Sequence, residues 1–69
     1  MKIVNTDDFD KATHWIPTDK DSTKFNVTIG KQYKLFYDAC EEEHYIYDDA
    51  GNMSMAYLCV AGYLAKEED

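Results

Sequence analysis

Hydrophobic and polar residues alternate with a period of two along the middle of the chain, a pattern that predicts β-strands. The first clear example is Phe25, Val27 and Ile29, which are separated by single polar residues. Similar alternation recurs further along the chain. We therefore predict strands at residues 25–29, 32–37, 44–47 and 53–64, the last as one bent strand or two short ones.

Turn residues separate these segments. Gly30 is expected to bend or bulge the chain between the first two strands, and residues 48–52 (D-D-A-G-N) have the composition of a tight turn. Phe36 interrupts the alternation, so we expect its strand to bury part of both faces. A helix over residues 53–65 is the alternative to strand there, since Met, Ala and Leu favour helices. The aromatic, Cys, Val and Gly residues of this segment favour strand.

The N-terminal third has a different character. Residues 2–4 are compatible with a short first strand, and residues 5–23 predict a long loop with one helical turn near residues 8–12. Pro17 should end any such turn. Residues 65–69 are acidic and are expected to be a frayed tail. Four to five short antiparallel strands in 69 residues predict one mainly β domain over 1–69, a small closed barrel without unpaired edges.

Two segments carry a resemblance to a known group of proteins. Residues 27–35 have the pattern V-T-x-G-K-x-Y-x-L, and residues 45–52 read Y-x-Y-D-D-A-G-N. This combination resembles short uncharacterised proteins encoded by tailed bacteriophages, which have an SH3-like barrel. The resemblance covers about residues 25–52 and implies an SH3-like fold and a phage origin. Because no apolar leader is visible after Met1, we expect a location in the host cytoplasm. It identifies no catalytic or binding residue.

The charge of the chain restricts its partners. Fourteen Asp and Glu residues against seven Lys, with no Arg, give a net charge of −7. Such a chain repels nucleic acid and anionic membranes, so we expect neither to be a direct partner. A basic protein surface is the complementary partner, although acidic composition can also serve solubility alone. No segment has the roughly 20 apolar residues of a membrane-spanning helix.

Carboxylates are concentrated in one part of the chain. Six lie between residues 38 and 49, and neither Lys nor Arg occurs from residue 35 to residue 65. In an antiparallel pair of strands they would lie at opposite ends, or they could form a band together with the Asp residues of the first loop. A row of carboxylates can imitate the phosphates of a duplex. We predict that the partner-binding carboxylates are Asp38, Glu41, Glu42, Glu43, Asp48 and Asp49.

Trp15 is a further candidate for partner binding. It lies beside Ile16 and Pro17 in otherwise polar surroundings. Trp is a frequent anchor residue at interfaces, so an exposed Trp15 would indicate a peptide-binding loop. Because so short a chain has little core, Trp15 could instead fold inward. The sequence leaves both alternatives open.

No reaction is indicated by the sequence. Cys40 and His44 are spaced like metal ligands, but His14 and Cys59 are isolated, so a four-ligand zinc set is incomplete. Neighbouring glutamates disfavour a thiolate at Cys40. No apolar leader follows Met1, so we expect reduced thiols and no disulfide. We predict no enzyme activity, no metal and no cofactor.

Three functions remain as hypotheses. The first is an acidic phage protein that blocks or modulates a basic host protein, one that handles nucleic acid or defends against phage. The second is a small structural or assembly module of the phage. The third is a peptide-binding adaptor that uses the Trp15 loop.

Overall fold

The computed structural model describes residues 2–68 and is mainly β, with two antiparallel sheets and little helix. Two short 3₁₀ helices, Lys20–Phe25 and Ala56–Leu58, lie between strands. The strands of the described chain are β1 (Lys2–Thr6), β2 (His14–Pro17), β3 (Tyr33–Lys34), β4 (Phe36–Asp38), β5 (Glu43–Tyr47), β6 (Met53–Ser54) and β7 (Gly62–Glu68).

The larger sheet has the strand order β1-β7-β2-β3. Strand β7 pairs with β1 from Thr6 opposite Leu64 to Lys2 opposite Glu68, and with β2 from His14 opposite Ala65 to Pro17 opposite Gly62. Residues 65–68 are therefore part of a central strand, and the prediction of a frayed tail is wrong for them. Asp69 lies outside the described residues.

Strand β2 corrects the prediction of a long N-terminal loop. Trp15, Ile16 and Pro17 are all buried, so β2 has apolar residues on both faces and lacks the alternation that marks a half-exposed strand. In place of the predicted helical turn before it, residues 9–11 form a hydrogen-bonded turn, in which the Lys11 N–H donates to the Asp8 carbonyl at 3.1 Å. The N-terminal strand is also confirmed, since β1 includes residues 2–4.

The smaller sheet has the order β4-β5-β6. Strands β3 and β4 are separated only by Leu35, whose N–H donates to the Thr13 carbonyl at 2.8 Å, so one length of chain contributes to both sheets. These strands confirm the predictions at 32–37 and 44–47. Phe36 is half-buried and stacks on Tyr45 with 5.5 Å between ring centroids, which explains why it interrupts the alternation.

The core lies where residues from the two sheets meet. Ile46 of β5 is fully buried, and Tyr33, Val27 and Val60 are at most 4% exposed. Trp15 belongs to the same cluster. Val60 follows the second 3₁₀ helix, so the predicted strand at 53–64 is confirmed only at its two ends, in β6 and β7.

The predicted strand at 25–29 is wrong. Residues 20–25 form a 3₁₀ helix because Asp19 caps it: its Oδ1 accepts the Asp21 N–H at 3.0 Å. Asn26 ends the helix in the left-handed region, at φ 59°, a conformation that Asn tolerates better than most residues. Val27 is then buried from a turn rather than from a strand.

Candidate functional site

Asp49 is a structural carboxylate. Its Oδ2 accepts from the Thr28 hydroxyl at 2.7 Å, and its Oδ1 accepts from Lys31 Nζ at 2.7 Å and from the Tyr33 hydroxyl at 2.8 Å. Thr28 and Lys31 lie between the first 3₁₀ helix and β3, and Tyr33 is the first residue of β3. Asp49 therefore fixes this segment and the start of β3 to the turn after β5. The fold thus places Lys31 against Asp49, one of the six carboxylates between residues 38 and 49. This pairing cannot be seen in the order of charges along the chain, where Lys31 lies outside that segment.

The electrostatics of this network follow from its hydrogen bonds. The Lys31 ammonium, then the hydroxyls of Thr28 and Tyr33, stabilise the charged carboxylate and lower the pKa of Asp49 to about 2. The same hydrogen bond to Asp49 raises the pKa of Lys31, and burial raises the pKa of Tyr33. Asp49 is therefore ionised and already paired at neutral pH.

Asp48 shapes the turn between β5 and β6. Its Oδ1 accepts the N–H groups of Ala50 at 3.0 Å and Asn52 at 2.9 Å, and its carbonyl accepts the Gly51 N–H at 2.9 Å. Gly51 has a φ of 82°, as the turn composition predicts. Asp48, like Asp49, has a local structural role.

The other predicted carboxylates lie at the opposite end of β5. Asp38 ends β4, and its Oδ1 accepts the Cys40 N–H at 2.9 Å, which closes the connection to β5. Glu41, Glu42 and Glu43 follow, and all three are exposed. Glu43 is separated from Asp49 by the length of β5, about 15 Å at roughly 3.3 Å per residue. Because this exceeds a Debye length of about 8 Å, the two groups do not act as one charged surface.

An aromatic contact adds a second acidic segment to the Glu41–Glu43 end. The Phe9 ring packs edge-on against His44 with 4.5 Å between centroids, and it also contacts Tyr57 at 5.9 Å. Phe9 thereby holds the turn after β1 beside the start of β5. That turn also carries the cation Lys11, which is exposed. We call the resulting surface the acidic end; its carboxylates are Asp7, Asp8, Asp10, Asp38, Glu41, Glu42 and Glu43.

Two other Asp residues of the first loop are engaged elsewhere. Asp19 caps the first 3₁₀ helix, and Asp21 lies 3.6 Å from Lys24 Nζ within that helix. The predicted band of carboxylates is therefore replaced by one acidic end and a separate structural group around Asp49. Sequence reasoning missed the role of Phe9, although a lone Phe between aspartates was a visible signal that this turn is anchored.

Trp15 is a core residue. Only 3% of its surface is exposed, and its ring lies 6.1 Å from that of Tyr33. The expectation of an exposed Trp15 anchor is therefore corrected in favour of the inward alternative, because the buried strand β2 carries this side chain to the middle of the larger sheet. Trp15 is nevertheless among the residues that line the cleft described next.

A cleft of about 340 Å³ opens beside the acidic end. Phe9, Tyr57 and Leu58 form one part of its lining, and Gly62 and Tyr63 at the start of β7 form another. Leu58 is 69% exposed and Tyr63 is 42% exposed, so apolar surface faces solvent here. Sequence reasoning missed this cleft, since its lining joins residues far apart in the chain.

Within residues 2–68, no group of three or more His, Cys, Asp or Glu side chains is arranged to hold a metal ion. Cys40 and Cys59 are both free and exposed. No helix in the described chain is both long and apolar enough to cross a bilayer.

Comparison with protein-family models, with curated proteins and with solved structures finds no match for this chain.

Proposed function

We propose that this chain is a non-enzymatic binding protein, encoded by a tailed bacteriophage, that occupies a basic surface of a host protein. The observation that carries the proposal is the acidic end, where the contact of Phe9 with His44 places one acidic segment beside another and Lys11 is the cation of the Phe9 turn. The partner is a host protein that handles nucleic acid or defends against phage, because such proteins present the basic surfaces that this charge complements.

Two features support an electrostatic mode of action. Glu41, Glu42 and Glu43 are exposed, so their charges extend into solvent and can accelerate encounter with a cationic partner. The net charge of −7 opposes direct binding to nucleic acid, which would require cations to neutralise phosphates. The chain therefore competes with nucleic acid for a shared partner rather than binding it.

We also propose that the fold is an SH3-like barrel with one added strand. The supporting observation is the order of the strands along the chain. Strands β3 and β4 run from the larger sheet into the smaller one, which β5 and β6 complete. A 3₁₀ helix then leads to β7, which lies beside β2 in the larger sheet. Strand β1 is the addition, at the outer side of β7. The fold and the phage resemblance are consistent with one another on this assignment.

The test compares two variants that lose the same charge. One variant carries Glu41→Gln, Glu42→Gln and Glu43→Gln. The control carries Asp21→Asn, Glu67→Gln and Glu68→Gln, whose surface ion pairs contribute little to stability. Proteins retained from a bacterial host lysate by the wild-type chain are identified by mass spectrometry, and the association rate of the purified partner is measured as salt is raised.

We expect the first variant to associate about tenfold more slowly than the control at low salt, with the difference shrinking as salt rises. Equal rates for the two variants, or a wild-type rate that does not depend on salt, would contradict the electrostatic mechanism. A partner without a basic surface would contradict the proposed partner class.

A further inference from the structure

Strand β7 is longer than the strand that covers its outer side. Its residues from Leu64 onward pair with β1, but β1 ends at Thr6 opposite Leu64. Gly62 and Tyr63 extend beyond that point, and both are exposed. In the described part of the chain, no strand continues the line of β1 alongside these two residues.

The backbone of Gly62 faces this uncovered side. The Ala61 carbonyl accepts from the Thr18 N–H at 3.0 Å, and the Ala65 carbonyl accepts from the Thr13 N–H at 2.8 Å, both on the β2 side of β7. Because backbone groups alternate between the two sides of a strand, those of Gly62 are directed towards the β1 side. This is a short sheet edge with a donor and an acceptor available for another strand.

The apolar cleft adjoins the same edge. Gly62 and Tyr63 form part of its lining, together with Leu58, which has 69% of its surface exposed. A strand added beside Gly62 would direct alternate side chains towards opposite faces of the sheet, so one of them can enter the cleft. A cleft of about 340 Å³ has room for one large aliphatic side chain and its neighbouring backbone.

Acidic residues adjoin the lining of the cleft in the chain. Phe9, which lines it, stands between Asp8 and Asp10 in the chain. The Tyr57 hydroxyl, which belongs to the same lining, donates to the carbonyl of His44 at 2.9 Å, and Glu43 is the residue before His44. The edge and cleft therefore complement a segment that has both an apolar residue and a cation.

We propose that this edge and cleft bind an extended segment of a partner protein in which a large aliphatic residue is followed by Lys or Arg. The segment adds to β7 along the line of β1, its aliphatic side chain enters the cleft, and its cation lies against Asp10. The proposal rests on the proposed function, because it names the part of the basic partner that is recognised. A second copy of this chain is a poor occupant, since each copy would bring a net charge of −7.

The test uses a defined peptide, capped Thr-Leu-Thr-Leu-Lys-Lys, with two altered forms. One form is N-methylated along the backbone, and the other replaces both leucines by serine. Binding is followed by NMR from the amide signals of the protein. We expect the parent peptide to shift the NMR signal of the Gly62 amide and to slow the exchange of its hydrogen with solvent. N-methylation should weaken binding about fivefold, because hydrogen bonds are lost. Replacing both leucines by serine should weaken binding about tenfold.

Matched protein variants locate the site. Leu58→Glu should weaken the parent peptide about tenfold, whereas Met53→Glu, which changes another exposed apolar residue outside the cleft, should not. Asp10→Asn should weaken it about two- to threefold. Glu68→Gln, at the far end of β7, should leave it unchanged.

The proposal is overturned by undetectable binding of the parent peptide, by binding that withstands N-methylation, or by equal effects of Leu58→Glu and Met53→Glu. Its failure is distinguishable from failure of the proposed function. If the Glu41–Glu43 variant slows association of the host partner while Leu58→Glu does not, the electrostatic function stands and this site is excluded.

Discussion

Replacing Trp15 tests whether this residue stabilises the fold or contacts a partner directly. Its side chain is 3% exposed and packs in the core cluster with Tyr33 and Ile46. Truncating a buried Trp to Ala costs about 3–5 kcal/mol, because the lost apolar contacts leave a cavity. At roughly 0.05–0.15 kcal/mol per residue, a chain of 69 residues has a free energy of unfolding of about 3–10 kcal/mol. Trp15→Ala should therefore remove a large share of the total stability.

A milder change keeps the measurement within range. Trp15→Phe should lower the free energy of unfolding by about 1–3 kcal/mol, as is usual when a smaller ring leaves a gap. For a domain of this size, each 1 kcal/mol corresponds to about 4–8 °C in melting temperature. Urea unfolding followed by circular dichroism measures the loss without relying on the indole signal, which these variants lack.

Tyr37→Ala is the matched control, since Tyr37 is 56% exposed. It should change stability by less than about 1 kcal/mol. The reasoning would be refuted if Trp15→Ala unfolded at the same urea concentration as the wild-type chain. If that stable variant also failed to bind the partner, Trp15 would have to be an interface anchor after all.

Three other predictions concern residues with structural roles. Because the folded pKa of Asp49 is about 2, below its usual 3.8, its contribution to stability is complete above about pH 4 and is lost towards pH 2. The difference in urea midpoint between wild type and Asp49→Asn should shrink over that range, and a constant difference would contradict the assignment. Asp48→Ala should destabilise the turn by about 1 kcal/mol more than Asp48→Asn, because Asn retains an acceptor; equal melting temperatures would argue against this. Gly62→Ala should destabilise by about 1–3 kcal/mol, since the new Cβ would lie 2.5 Å from the Ile16 carbonyl oxygen and 2.7 Å from Trp15 Nε1; a fully stable variant would show that β2 can move aside.

The sequence predicts the smaller sheet better than the larger one. Tyr33 and Leu35 are buried while Lys34 and Tyr37 are exposed, and periodicity detects this alternation although the half-buried Phe36 interrupts it. Strand β2 is buried on both sides, so His14–Pro17 shows no alternation and resembles a loop. Strand β7 carries charged residues in its second half, which resemble a solvated tail although they belong to a central strand.

The candidate site could be predicted only in part. The exposed glutamates at 41–43 are evident from composition, and the turn composition at 48–52 indicates its geometry. The contact of Phe9 with His44, and the three donors around Asp49, join segments that are distant in the chain. Whether a carboxylate is free or already hydrogen-bonded depends on such contacts, so charge counting alone does not distinguish Asp48 and Asp49 from the exposed glutamates.

The central place of β7 has a consequence for how the protein is made. The larger sheet joins its first strand, β1, to β2 only through β7, which leaves the ribosome after the other strands described in residues 2–68. Until β7 has emerged, β1 has no partner and the edge of β2 is open. The sheet therefore forms after most of the chain has been synthesised, and its long-range pairings should make folding slower than in a helical protein of equal size. A stalled ribosome or a premature stop before residue 62 would release a chain whose first strand is unpaired and available to aggregate.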